Sequence, residues 1–470
     1  MKKIPLIFFF AFLFCECRMA HAQRPNITVT KFRDSALASQ WCPYDTTLVA
    51  YNLLRPDGFY DIYTARVGPG NSFVSEQCFT CLNASLPGKN YAQPTFSPSG
   101  KYMLFTAEKA HHAGSSNTSI PGVGTYNDLW LMKMDGSKAW QLCNMPDTGI
   151  SAIIEPWFNP KGNEIMWCQM TNNVSLSNGK QYFGYWVIKI APFIDDTVNG
   201  PHIDSANIRT IEPGGSPAFN EPYGWSRDGS RIIFASDYNQ FWVWDDQIYT
   251  SDTMGNNIEQ MTSTAHSYPY TEHAFYSADG KHIVWMTDLD NKQGGSKGGD
   301  DWFIMNSDTI DQIRLTYFND TTSSYWTGTV HVNCHGSFCS DNRRFIGDVT
   351  GSEPVQVNPD SSIGAAYIIS SGYFTGIENI SQNALQFNLY PNPNNGQFTI
   401  QMENVGLTMD NWKTQIDIYN ILGEKVYSST LPQTTKGTLN IDLGEVPSGV
   451  YFLQLFNETT SASKKFVVEK

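Results

Sequence analysis

Apolar residues in this chain fall in short runs and alternations, not at the three-to-four spacing of an amphipathic helix. From Tyr270 to Asp288 the sequence reads YTEHAFYSADGKHIVWMTD. An aromatic-rich run, the turn SADG and the apolar run HIVWM predict a strand, a tight turn and a buried strand. Asp and Gly suit such a turn because they tolerate the positive φ that short hairpins need. Similar units are QPTFSPSGKYMLFTAE around Ser97, EPWFNPKGNEIMWCQ around Asn159 and PYGWSRDGSRIIFASD around Ser226. Looser copies are SQWCPYDTTLVAYN around Cys42 and HGSFCSDNRRFIGD around Cys339. The six anchors are spaced by 55, 62, 67, 51 and 62 residues. A second pattern of acid or glycine, strand, turn and strand follows five of them, as in DIYTARV, GYWVIKI and DWFIMNSDTIDQIRLT.

Two hairpins make four strands per repeat, and such a unit buries its faces only against its neighbours. The expectation is an all-β fold: a β-propeller of six blades, with room for a seventh, followed by a small C-terminal β-sandwich. A sandwich alone gives no reason for the repeat. The closing strand is expected from NITVTKF near the N-terminus or AAYIIS near residue 368. These hairpin pairs resemble TolB-like propeller repeats, best at Ser97, Ser226 and Ser277 and in IMNSDTIDQIRLT. That resemblance speaks for fold and is nearly silent about activity.

The pattern changes after SSGYFTGIENISQNA. Short alternating segments follow, among them LQFNLYPNPNNGQFTIQ, TQIDIYNILGEKVYSS and VPSGVYFLQLFN. Tyr390-Pro391-Asn392-Pro393, Gly396, the stretch ending at Gly423, Gly449 and Tyr451 closely resemble the C-terminal sorting domain of type IX secretion. The resemblance implies a bacterium of the Bacteroidota type, engagement of the type IX machinery, and delivery to the outer surface or beyond. At the other end, MKKIPLIFFFAFLFCECRMAHAQ joins two lysines, an apolar run from Ile4 to Cys15 and a small-residue site. This predicts a secretory leader cut between Ala22 and Gln23, its apolar run too short to span a bilayer. Bulky Phe14 before Cys15 argues against a lipoprotein. The expected organisation is leader 1–22, propeller 23–375, linker 376–386 and sorting domain 387–470, with no transmembrane segment in the mature chain.

Composition sharpens this picture. The 470 residues are 41% hydrophobic, 14% aromatic and 16% charged, with 23 Tyr and 13 Trp, which suits many aromatic-rich strands. The formal charge is −14, about −16 once the leader is removed, and no basic cluster exists. Nucleic acid and anionic membranes are therefore excluded as expected partners. Seven cysteines remain in the mature chain, an odd number, with Cys78–Cys81 and Cys334–Cys339 the nearest pairs for disulfides in an exported protein.

Candidate chemistry follows from the repeat. The residue four before each anchor should occupy one ring near the channel mouth, and these are Ala38, Gln93, Glu155, Pro222, His273 and His335. Gln93, Glu155, His273 and His335 could ligate a divalent metal, Mn, Zn or Fe. His331 lies four before His335, and an even offset on a strand places both on one face. The Asp/Gly-rich stretch 288–301 has the composition of a Ca loop without its regular alternation. The channel set loosely resembles oligogalacturonate lyases, propellers whose central His and Gln hold a metal, although no Gln-x-x-His occurs here. The favoured expectation is a binding module for glycan, peptide or protein; the alternative is a metal-dependent carbohydrate-active enzyme at the channel mouth.

Overall fold

The computed structural model describes residues 27–112, 119–147, 152–172, 185–213, 218–238, 246–263, 270–289, 299–307, 312–326, 331–351, 364–375, 387–402, 415–420, 424–430, 438–456 and 461–470. Ala22, Gln23, Gly423 and most of the stretch 288–301 lie outside them. The described elements are strands and short 3-10 turns, with no α-helix among them. The chain divides into two compact units, Met1–Gly376 and Ile377–Lys470.

Six sheets make up the first unit. The first sheet runs Ala36–Trp41, Leu48–Leu54, Tyr60–Val67, Phe73–Cys78, and the second Tyr91–Phe96, Tyr102–Glu108, Asn127–Lys133, Ala139–Gln141. The third holds Ile153–Phe158, Glu164–Asn172 and Tyr185–Ile194, with two short strands, His202–Ile203 and Arg209–Ile211, on the last. The fourth is Asn220–Trp225, Arg231–Ser236, Gln247–Asp252, Glu259–Gln260, and the fifth Thr271–Tyr276, His282–Thr287, Asp301–Asn306, Ile313–Arg314. The sixth joins His331–Phe338, Arg344–Gly351 and Ala365–Ser371 to Ile27–Asp34 from the start of the chain. Ile27 faces Ser371 and Asp34 faces Ala365, antiparallel, so the two candidate closing segments pair with each other.

The turns follow the anchor residues. Each anchor directly follows the first strand, and its backbone N–H closes the hairpin: Ser97 to Tyr102 O at 2.9 Å, Ser226 to Arg231 O at 2.9 Å, and likewise from Cys42, Asn159, Ser277 and Cys339. Gly229 and Gly280 sit in these turns at φ 71° and 76°, where a side chain would be strained. In three of the hairpins the anchor hydroxyl adds a bond, as where Ser226 Oγ donates to Asp228 Oδ1 and accepts from Arg231 N.

Apolar side chains fill the spaces between successive sheets. Phe105 and Met103 meet Ala50 and Ile62, Ile165 and Trp167 meet Leu104 and Leu131, and Trp302 and Val284 meet Phe345 and Ile369. The sixth sheet packs on the first through Ile346, Ile368, Val49 and Tyr51. The first strands also touch in succession, the strand at His331 returning to the strand at Ala36. Second strands, covered on both faces, are buried nearly end to end, Tyr102–Glu108 completely.

One disulfide is present among the described residues, Cys78–Cys81. Cys42, Cys143, Cys168, Cys334 and Cys339 remain thiols, which corrects the Cys334–Cys339 alternative. The physical reason is position: Cys334 is paired across the sheet with Asp348, while Cys339 opens the turn beyond a β-bulge.

The second unit has a three-stranded sheet, Phe387–Tyr390, Gln397–Met402 and Thr438–Asp442, and a four-stranded one, Gln415–Asn420, Lys425–Thr430, Gly449–Phe456 and Ser461–Val468. Phe398, Ile400, Ile416, Ile418, Leu453 and Phe466 form the core they share. The Tyr390–Gly396 segment is tied to the last strand: Val467 N donates to Asn392 Oδ1 at 2.8 Å, and Asn394 N to Val467 O at 3.0 Å. The peptide bonds before Pro391 and Pro393 are cis, and Gly396 has φ 101°. Gly449 opens its strand, and buried Tyr451 donates to Pro447 O at 2.8 Å while stacking on Phe466.

Candidate functional site

Every first strand of the first unit breaks its register once, and the break falls at or beside the residue four before the anchor. At five of the six, that residue lies in the left-handed region: Ala38 at φ 51°, Gln93 at 55°, Glu155 at 51°, His273 at 49° and His335 at 32°. Proline cannot adopt such a φ, and in the fourth sheet Gly224, two residues beyond Pro222, takes φ 139° instead. A positive φ costs a non-glycine residue roughly 1–2 kcal/mol. The repeated bulge turns these side chains out of the strand alternation and toward one another.

Four of the five candidate ligands meet. Glu155 Oε1 accepts from Gln93 Nε2 and is paired with His335 Nε2, both at 2.6 Å. Gln93 Oε1 in turn accepts from Glu155 N at 3.0 Å, and Gln93 N donates to Asn52 Oδ1 at 3.0 Å. The His273 and His335 rings lie 4.6 Å apart, and the Tyr223 ring is 5.0 Å from that of His273. Gln93, Glu155 and His273 are 4%, 2% and 7% exposed, so solvent contributes little to their charge balance. His331 does not join them. Its Nδ1 lies 3.3 Å from Thr350 O, beside Phe318. Four residues of strand span roughly 13 Å, and the bulge at His335 interrupts the alternation on which a shared face depends.

Groups outside the four-before-anchor positions complete the cluster. Asp348, on the second strand of the sixth sheet, accepts Ser39 N at 3.0 Å, and Tyr223 donates to Glu221 Oε2 at 2.7 Å. The sequence signal for Asp348 was a lone acid in the buried run RFIGDVT. Burial pushes the Asp348 carboxyl up to about 7, with His335 and Ser39 pulling the other way. Burial also lowers His335, but the charge and hydrogen bond of Glu155 outweigh it and raise that imidazole overall. His273 is driven well below the usual histidine range, by burial first and His335 second, so it is neutral. Glu221 is raised by burial and by the Glu155 charge.

The donor types suit a divalent metal, but the placement fits one only in part. Among the described residues, the one group of three His, Cys, Asp or Glu ligand atoms close enough to share an ion is Asp61, Cys78 and Cys81, whose two sulfurs are joined as a disulfide and offer no thiolate. His273 would have to turn and Glu155 would have to release a donor. His112 is held by Glu108 and stacked on Tyr126.

A second concave feature lies between the second and third sheets, a cleft of about 600 Å³ lined by Lys101, Tyr102, Lys133, Trp140, Asp195 and Gly200 among others. Asp195 accepts from Tyr102 Oη and Lys101 Nζ, each at 2.7 Å, and Lys138 Nζ lies 5.1 Å from the centre of the Trp140 ring. Gly200 (φ 93°) is required there, since a Cβ would come within 2.6 Å of Trp140 Nε1. The cleft is open, whereas the His–Glu cluster is enclosed; surface access therefore belongs to the cleft and the unusual electrostatics to the cluster.

Residues 388–469 match the profile of the secretion system C-terminal sorting domain. The C-terminal unit is thus a type IX sorting domain, and the chain is an exported protein bound for the cell surface or beyond. No helix among the described residues is long and apolar enough to cross a membrane. No curated protein matches the chain in sequence. Similar solved structures include a puromycin-hydrolysing peptidase of Mycobacterium tuberculosis, at 11% identity and TM-score 0.36, over 83% of this chain and 60% of that one. An ancestral GH74 enzyme is similar at 10% identity and TM-score 0.35, over 92% of this chain and 56% of that one. A DUF4221-family protein of Bacteroides vulgatus is similar at 10% identity and TM-score 0.35, over 74% of this chain and all of that one. The chain thus spans under two thirds of the length of the first two.

Proposed function

We propose that this exported chain is a ligand-binding module, a six-bladed TolB-like β-propeller over residues 23–375 carried by a sorting domain at 387–470 across a linker at 376–386. The cyclic order of sheet packing and the pairing of Ile27–Asp34 with Ala365–Ser371 support a closed ring. The observation that carries binding over catalysis is the state of Glu155. Its carboxylate already takes two buried donors, and Gln93 is engaged at both ends of its amide. The ring group therefore acts as a hydrogen-bonded brace for the first strands, and recognition falls to the outer surface. There the Trp140 cleft joins an aromatic ring to balanced acids and amines, the chemistry that receives a glycan. Affinity electrophoresis of the mature chain through neutral and acidic polysaccharides tests this. Retardation by at least one polysaccharide is expected, weakened roughly tenfold in Trp140→Ala, about 1.4 kcal/mol, and retained in His273→Ala.

One observation favours a second reading, a metal-dependent carbohydrate-active enzyme resembling oligogalacturonate lyases. His273 Nδ1 is buried without a hydrogen-bond partner, and so is Asp348 Oδ1; such orphaned atoms call for a water or a cation. Elemental analysis separates the two. Stoichiometric Mn, Zn, Fe or Ca, lost in His273→Ala or His335→Ala, would replace the first reading by the second. Metal-free protein with unaltered binding in both variants ends the second.

A further inference from the structure

The two sulfurs of the Cys78–Cys81 disulfide meet unequal surroundings. Cys78 ends the fourth strand of the first sheet and is half-buried, while Cys81, in the 3-10 turn Thr80–Leu82, is exposed. The backbone N–H of Cys81 donates to Cys78 Sγ at 3.3 Å, and the Thr80 hydroxyl is 4.0 Å from the same sulfur. On the opposite side, Asp61 Oδ2 lies 3.9 Å from Cys81 Sγ. Asp61 is itself 3% exposed, accepts Thr80 Oγ1 at 2.8 Å and stands 3.6 Å from the Arg55 guanidinium. Burial pushes its carboxyl above the ordinary range, against the pull of Thr80 and Arg55. A sequence separation of three residues makes this bridge a poor staple, since the stabilisation from closing a loop grows with its length. The chain is also exported, into compartments where disulfides form and exchange.

We propose that Cys78–Cys81 is an exchangeable disulfide that oxidises dithiols of other exported proteins, with Cys81 as the sulfur attacked and Asp61 as the group that exchanges its proton. A substrate thiolate bonds to Cys81 Sγ. The Cys81–Cys78 bond breaks, and its electron pair leaves on Cys78 Sγ, where the Cys81 N–H receives the charge. The second thiol of the substrate, losing its proton to solvent, then attacks the substrate sulfur of the mixed disulfide. Cys81 is released as a thiolate and takes a proton relayed from solvent by Asp61, and the Cys78 thiolate takes a second proton from solvent. The substrate dithiol becomes a disulfide, the chain becomes a dithiol, and two electrons have moved.

The test follows reduction of the folded mature chain by dithiothreitol near neutral pH. Thiols are trapped by alkylation and mapped by mass spectrometry, with the oxidised peptide 76–83 as the same disulfide without the fold. The expected result is reduction roughly tenfold faster in the folded chain, with circular dichroism unchanged, and an acid-quenched glutathione adduct on Cys81. A rate equal to or below that of the peptide, reduction only on unfolding, or an adduct confined to Cys78 would overturn the proposal. Asp61→Asn should remove the rate advantage and flatten its pH dependence, an effect that a purely structural carboxylate would not produce. Where that variant fails to fold, the wild-type rate ratio and the adduct position decide alone.

Discussion

Single residues at the centre of the first unit set a pH dependence with a definite sign. Asp348 keeps its proton in the folded chain up to about 7, whereas its ordinary value is 3.8. Between those values the folded state binds more protons than the unfolded one, so stability falls as pH rises across that window. His335 acts in the same sense: its value is raised, so its contribution is full below 6.5 and lost as pH climbs through the folded value. Thermal unfolding should therefore show a melting temperature declining from pH 6.5 to pH 8, above the range in which neutral His273 acts in the opposite sense, and Asp348→Asn should remove much of the slope. Glu155→Ala strips His335 and Gln93 of their shared acceptor and should cost about 3 kcal/mol in urea unfolding. Much of this was legible: counting four residues back from each turn found Gln93, Glu155, His273 and His335. Asp348 was not, because it reaches the same place from a second strand, where position in the repeat carries no mark.

The hairpin and its bulge are the element that repeats. Turn residues announced the hairpins, since Gly and Asp at a tight turn have a steric reason to be there. The bulges had no such mark, because the residues in the left-handed region are Ala, Gln, Glu and His, none of them glycine. A comparison of two glycine substitutions tests this. Ala38 at φ 51° offers no polar group, so Ala38→Gly should be neutral or stabilising by about 0.5–1 kcal/mol. Gln93→Gly relieves the same backbone but abandons the amide bonds to Glu155 and should lose about 2 kcal/mol. Denaturant midpoints at fixed slope would distinguish the two. His331 shows the other side of this lesson: alternation fails across a bulge, and a same-face argument fails with it.

For the molecule as a whole, the sixth sheet is the seam, three strands from residues 331–371 completed by Ile27–Asp34. Removing residues 27–34 should bare the edge of Ala365–Ser371, lowering the melting temperature and producing concentration-dependent light scattering. Removing residues 388–470 should leave the first unit folded but retained inside the cell, read by fractionation. The seam also dictates a timetable. Its earliest strand finds a partner only when the last strand of the unit is available, so Ile27–Asp34 waits unpaired while the other five sheets assemble. The final docking is then a long-range search, slow by nature.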